Sequence, residues 1–229
     1  MSTSGTATFS TTRNNVIRDA LHLLGVIESN ASPEPEDLQF CGRFLDMLIK
    51  QWAPRMNIWP TKDVTVTLTP GTASYEIKAG SLVINEPRPL AVISARRRDT
   101  AGNETPMDVV SREEYMAIPT KTTQAPAIMV YYDRQRTDGT LYFWPTGSTG
   151  NVTVICTLKR ALEDVGDEGD EPDFPPEGIL GLVYNLATII SPAYGGLRQD
   201  IAALAVQLKQ ELLDDDTEGT SLYITPRFN

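Results

Sequence analysis

The chain has 229 residues, 41% of them hydrophobic and 22% charged, with 16 Gly and 16 Pro, a composition that excludes a disordered chain, a collagen rod and a coiled-coil fibre. Twenty Lys and Arg stand against 30 Asp and Glu, a formal charge of -10, which argues against a protein that grips phosphates with its whole surface. The imbalance is local: through Arg160 there are 17 basic and 16 acidic residues, +1, and after it 3 and 14, -11.

The first twelve residues are rich in Ser, Thr, Gly and Ala and lack the basic and apolar regions of a secretory leader. No apolar run approaches the roughly 20 residues of a membrane span, so the reading is a soluble protein, made in the cytoplasm and without membrane contact. Apolar residues at Val16, Ile17, Ala20, Leu21, Leu24 and Ile27 predict a first helix over 12–27, capped by Thr11 or Thr12. A second should start near Pro35, with Glu34, Glu36 and Asp37 at its positive end. It presents Leu38, Cys41, Leu45, Leu48 and Trp52 on one face and stops at Pro54, so the two helices should pair as an antiparallel hairpin.

From residue 62 the period changes to two. Val64, Val66 and Leu68 alternate with threonines, Pro70-Gly71 turns the chain and 74–77 continues it, which predicts a β-hairpin. Further strands are expected at 90–95, 107–110, 127–132, 140–144 and 151–158, with turns at 137–139 and 146–150 between the last three. A short helix at 111–118 carries a Ser111/Glu114 capping box. Seven of the eleven residues in 163–173 are acidic, and helical periodicity returns with Ile179, Val183, Leu186 and Ile190, then with Leu197, Ile201, Leu204, Ala205, Leu208 and Leu212, across a Gly195-Gly196 break. The fold class expected is α+β. A helical hairpin over 1–61 and another within 161–213, after the acidic loop, form a bundle, 62–160 forms a β-rich middle domain, and 214–229 is an extended tail too short for a core of its own.

Chemical motifs are sparse. His22 is the single histidine, beside Leu21 and Leu23, where a packed or surface ring is expected rather than a general base. No phosphate-cradling glycine loop is present, and the acidic run lacks the spacing of a calcium loop, so it reads as a solvated loop. Cys41 and Cys156 read as separate buried thiols. No catalytic, cofactor-binding or metal-binding residue is therefore assigned. A carboxylate-dependent cell-wall glycan hydrolase, with Glu177 and the 163–173 loop as its first candidates, stays as an alternative, as does a calcium-dependent binding module. Arg96, Arg97 and Arg98 form the sole basic run, either a contact to DNA or to an acidic neighbour, or a solvated strand end.

Several stretches carry a resemblance. Leu48-Ile49-Lys50-Gln51-Trp52, Asn57-Ile58-Trp59 and Pro70-Gly71-Thr72-Ala73-Ser74-Tyr75 follow one another as a helix end, a link and a strand closure. Leu141-Tyr142-Phe143-Trp144-Pro145-Thr146 comes next, then Phe174-Pro175-Pro176-Glu177, Tyr184-Asn185-Leu186-Ala187 and Pro192-Ala193-Tyr194-Gly195. Taken in order, this pattern resembles the head-to-tail adaptor (connector) proteins of short-tailed bacteriophages, also called packaged-DNA-stabilisation or tail-accessory proteins. Two features depart from it: Gly178 stands where a Trp is usual after the Pro-x-Glu step, and Pro54 cuts the second helix.

The resemblance implies a non-enzymatic virion component located in the neck and assembled in the host cytoplasm. It implies a homo-oligomeric ring of twelve copies under the portal protein, joined to a tail nozzle or tail tube protein and leaving a channel for the genome. A neighbouring neck component, a stopper or tail-completion protein, is the nearest alternative. Within this picture Glu163, Asp164, Asp167, Glu168, Asp170 and Glu171 are candidate channel-facing residues that let genomic DNA pass without adhering. Leu222, Tyr223, Ile224, Pro226 and Phe228 are the candidate portal-binding tail.

Overall fold

The computed structural model describes residues 5, 9–28, 31–56, 59–148, 153–196 and 198–216. The Asn57-Ile58 link, Thr149 and Gly150 of the expected turn, Leu197, and the tail residues Leu222, Tyr223, Ile224, Pro226 and Phe228 lie outside them. The fold is mixed α+β with a β-rich middle, and divides into a helical unit (1–59 with 162–229) and a sheet unit (60–161).

In the helical unit α1 spans Arg13–Leu23, with Thr12 accepting a hydrogen bond from the Asn15 amide as N-cap. It is shorter than its apolar spacing predicts. Gly25 takes φ 70° and closes the helix with bonds from Gly25 N to His22 O and from Val26 N to Leu21 O, the geometry glycine supplies without strain. Helix α2 (Pro35–Trp52) starts on the expected proline and gives way at Trp52 to a 3-10 turn, Ala53–Arg55, that holds Pro54. Helix α4 (Ile179–Ile190) follows a 3-10 turn at Pro176–Gly178, and α5 (Gln199–Asp215) follows the Gly195-Gly196 break, where both glycines have positive φ.

Helix α4 is the hub of this unit and packs against α1, α2 and α5. It is apolar nearly all round, which suits a helix with three neighbours. Ile179, Leu182, Val183, Leu186, Ala187 and Ile190 are all buried. They meet Val16, Ile17, Ala20 and Leu21 of α1, Leu45, Leu48, Ile49 and Trp52 of α2, and Ile201, Ala205 and Leu212 of α5, burial worth about 1.5–3 kcal/mol for each large side chain. Asn185 donates to Gly181 O within α4 and to Ala205 O on α5, both at 2.8 Å, so its buried amide fixes the approach of the two helices.

The sheet unit carries seven strands: β1 (Thr61–Thr67), β2 (Ser74–Ile77), β3 (Ala91–Arg98), β4 (Glu104–Val110), β5 (Met129–Arg134), β6 (Gly139–Trp144) and β7 (Thr153–Lys159). Their order is β1-β7-β3-β4-β5-β6-β2. One apolar cluster takes Val66 and Leu68 from the β1 end and Tyr75 and Ile77 from β2, together with Val130, Leu141, Phe143, Val154 and Leu158. Residues from both outer strands thus share one core, and the sheet curls around it.

The hairpin expected at 64–77 does not form. The turn does: Gly71 has φ 80° and Thr72 N bonds to Thr69 O. But β1 pairs antiparallel with β7 and β2 with β6, so the turn sends the chain from one end of the strand order to the other. Helix α3 (Arg112–Met116) makes both bonds of the Ser111/Glu114 capping box and leads from β4 into β5, a parallel pair.

Candidate functional site

Three surfaces stand out, and each is assembled from segments distant in sequence. The first is the acidic loop. Glu163, Asp164, Asp167, Glu168, Asp170 and Glu171 are all exposed, while Leu162, Val165 and Pro172 are buried beneath them. Backbone amides hold the loop, one to a carbonyl and two to carboxylates: Arg13 N donates to Asp170 O at 2.8 Å, Val165 N to Asp46 Oδ1 at 3.0 Å and Asp167 N to Asp170 Oδ2 at 2.8 Å. Lys50 reaches Leu162 O and pairs with Asp164 at 2.9 Å. The backbone is thereby fixed, with Asp170 turned to the Asp167 amide and Asp164 to Lys50, and the carboxylate residues named above stay exposed. Among the described residues no group of three or more His, Cys, Asp or Glu is arranged to hold a metal ion.

The second surface is a charged ladder on the sheet. Arg96 Nη2 lies 2.6 Å from Asp63 Oδ2 of β1, and Arg96 Nε 2.8 Å from Glu104 Oε2 of β4. Arg98 Nε donates to Glu104 Oε1 at 2.9 Å, and Thr157 of β7 donates to Asp63 Oδ1 at 2.6 Å. Arg97 instead reaches Ala127 O at 3.0 Å. Strand alternation explains the split, since Arg96 and Arg98 share one face. The Thr157 hydroxyl and then Arg96 hold the Asp63 carboxyl below its ordinary range, and Arg98, then Arg96, do the same for Glu104. All three arginines of the basic run thus have partners within the chain.

The third surface is a groove of 320 Å³ in the helical unit, lined by Trp59, by Pro175, Glu177 and Gly181 at the start of α4, and by Leu208, Glu211, Leu212, Asp215 and Asp216 at the end of α5. Its floor is apolar. Trp59 stands edge-on to Phe174 at 5.4 Å, and Phe174 is 5.9 Å from Trp52, over which Lys209 places its ammonium at 5.2 Å from the ring centre. Desolvation, with some repulsion from Arg55, lowers the Lys209 pKa. The Trp52 and Trp59 indole nitrogens are buried without a hydrogen-bond acceptor among the described residues. Gly181 faces α5, where a Cβ would sit in ordinary contact 3.6 Å from Leu208 Cβ. Glu177, an alternative candidate for acid chemistry, is an exposed rim residue of this groove.

Elsewhere the polar side chains serve packing. Tyr194 donates to Asp37 at 2.5 Å and lies 3.7 Å from Cys41 Sγ, and burial raises both the Tyr194 and Cys41 pKa values. Burial pushes the Cys156 thiol up to about 12. His22 Nδ1 lies 3.2 Å from Ile27 O past the end of α1. Leu82 and Val83 form an exposed apolar tip in the sheet unit. The loop bearing them is pinned by Gly80 N to Asn85 Oδ1 at 2.6 Å, by the buried Ile84 and by the Lys62–Glu86 pair at 2.6 Å.

Neither the groove, the ladder's acidic members nor the Leu82 tip was singled out by periodicity. Trp59 and the Phe174-Pro175-Pro176-Glu177 stretch, which carried the resemblance, do converge in the groove and its floor. No described helix is long and apolar enough to cross a membrane.

A comparison with curated proteins finds no match. A protein-family model described as SU10 adaptor protein matches residues 11–223, which take in α1 to α5, every strand, and all three surfaces. The expectation of a phage adaptor is met at that level, and the chain belongs to the SU10 adaptor protein family, a family of bacteriophage structural adaptors.

Proposed function

We propose that this chain is the head-to-tail adaptor of a tailed phage, of the short-tailed kind, working in the virion neck after assembly in the host cytoplasm. Copies form a ring, twelve in number, under the portal protein. The ring joins the capsid to the tail nozzle or tail tube, retains packaged DNA and leaves an axial exit channel. The observation that carries this reading is the family match over residues 11–223.

Two features of the chain support it. The exposed acidic residues Glu163, Asp164, Asp167, Glu168, Asp170 and Glu171 give an acidic surface, which repels phosphates and lets DNA slide. The apolar residues Leu222, Tyr223, Ile224, Pro226 and Phe228 suit a segment that reaches a portal subunit and orders there. The test is electron-microscope projection imaging of the purified chain mixed with its portal protein. The expected image is a ring with cyclic symmetry on the tail-facing end of the portal. Chains that stay monomeric beside bare portals would overturn the proposal.

A further inference from the structure

We propose that the groove between the start of α4 and the end of α5 is a peptide-binding surface whose occupant, in the free subunit, is the chain's own segment 222–228. The groove's α5 wall is a single helix face: Leu208, Glu211, Leu212 and Asp215 recur at helical spacing. They span seven residue steps, about 10.5 Å at the helical rise. Leu208 and Leu212 with Trp59, Pro175 and Gly181 make the apolar floor, and Glu177, Glu211 and Asp215 make an acidic rim. No described lysine or arginine forms an ion pair with Glu177 or Asp215, so the rim presents uncompensated negative charge.

The segment matches this surface in pattern and in charge. Residues 222–228 read Leu-Tyr-Ile-Thr-Pro-Arg-Phe, so in extended form Leu222, Ile224, Pro226 and Phe228 share one face and Tyr223, Thr225 and Arg227 the other. The first face fits the floor. Arg227, the one charged side chain in the segment, lies on the face turned to the rim carboxylates. Three or four extended residues cover the 10.5 Å of the α5 wall, so two neighbouring members of the first face seat on it at a time and the rest of the segment runs beyond its end.

Reach and tethering favour the chain's own segment over a neighbour's. The described chain stops at Asp216, itself a lining residue. The linker 217–221 is Thr-Glu-Gly-Thr-Ser, whose glycine accepts the reversed backbone of a tight turn, and five residues span up to roughly 16 Å. That is enough to double back along α5. A segment anchored at the rim is present at an effective concentration on the order of millimolar, which a separate copy reaches only at millimolar protein. Groove and portal then draw on one segment, a consequence that rests on the proposed function; the seating itself does not.

The experiment uses the full-length chain without portal. A Leu208→Cys/Ile224→Cys variant is oxidised and its products are sized and mapped by mass spectrometry, with each single variant as control; the native Cys41 and Cys156 are buried. In parallel, the rate of tryptic cleavage after Arg227 is compared in the unsubstituted chain, in Leu208→Glu and in Leu222→Glu. The expected result is a disulfide within monomeric protein and cleavage at least tenfold faster in both Glu variants. Should Leu208→Glu fail to fold, Leu222→Glu, outside the packed helices, gives the same reading.

Disulfide-linked dimers would assign the groove to a neighbour's segment and overturn the proposal. So would no disulfide together with equal cleavage rates. Portal docking is scored separately on the unsubstituted protein. Its failure with the segment seated removes the portal reading alone, and a segment found free while docking succeeds removes this proposal alone.

Discussion

Gly178 sits where the resembled pattern carries a tryptophan, and the structure says what takes the space. A Cβ on Gly178 would lie 2.4 Å from Phe174 Cε1, 2.7 Å from Phe174 Cδ1 and 3.2 Å from Leu212 Cδ1. Phe174, half-buried, packs against Trp52 and Trp59, which limits how far its ring can retreat. Overpacking of this kind costs about 1–3 kcal/mol. Against it, Gly178 has φ −87° and ψ −13°, which alanine adopts without strain, so Gly178→Ala regains about 0.4–1 kcal/mol from the unfolded chain. The overpacking wins, and the variant should be destabilised by about 1–2 kcal/mol. In urea, with a slope of about 1–3 kcal/mol per molar, the midpoint falls by roughly 0.5–1 M, followed by tryptophan fluorescence. In a Phe174→Leu background the ring edge is gone, and most of the Gly178→Ala penalty should vanish as a coupling of about 1–2 kcal/mol. A Gly178→Ala chain as stable as its parent, or a penalty unchanged beside Leu at position 174, would refute the packing account.

Other consequences are as direct. The folded-state pKa values of Asp63 and Glu104 are depressed, so the stability they contribute is complete above the ordinary carboxylate range, near 4, and is lost as pH falls through the lower folded-state values. Acid titration followed by circular dichroism should show that loss below about pH 4, and Arg96→Ala should lessen it. Cys156 and Cys41 should resist a thiol-modifying reagent at pH 8 in the native state and react on unfolding, because burial raises both; rapid native labelling of either would contradict the packing. Leu82→Asp, at a fully exposed tip, should leave the melting temperature unchanged while weakening assembly with portal or with other copies, measured by sedimentation.

What was legible in the sequence follows the range of the interactions. Local signals held: the Ser111/Glu114 capping box, Pro35 and Pro54 bounding α2, and the Pro70-Gly71 turn all depend on residues within four positions of one another. Strand partners did not, because alternation says which face a strand buries and nothing about its neighbour; β1 and β2 flank a good turn yet pair with β7 and β6. Ile27 extended the apolar period of α1 past Gly25, whose φ of 70° ends the helix, and a glycine after the last periodic residue was the signal to weigh. The basic run was visible, but its partners Asp63 and Glu104 come from two other strands. The groove escaped for the same reason: Trp59, residues 175–181 and residues 208–216 meet only once α4 and α5 have packed.

The acid excess belongs to one unit. The helical unit holds 20 acidic and 8 basic residues, -12, and the sheet unit 10 and 12, +2. In the helical unit seven acids lie within residues 163–173, on a loop fixed by the burial of Leu162 and Val165 and by backbone amides that donate to a carbonyl and to carboxylates, with one ion pair to a basic residue, Lys50–Asp164, among the bonds that hold it. The side chains of its Lys50–Asp164 pair are 42% and 70% exposed, so that pair adds little. Self-repulsion therefore opposes the helical fold, while the sheet gains from attraction between Arg96, Asp63 and Glu104. Salt acts on the two in opposite senses, since the screening length falls from about 30 Å at 0.01 M to about 3 Å at 1 M. Added sodium chloride should raise the unfolding midpoint of the helical unit, read through Trp52 and Trp59 in a Trp144→Phe chain. It should leave unchanged or lower that of the sheet unit, read through Trp144 with both other tryptophans replaced by Phe. A fall in the helical midpoint over the same range would mean that attraction outweighs self-repulsion in the acidic loop, and the proposed acidic wall beside DNA would lose its physical basis.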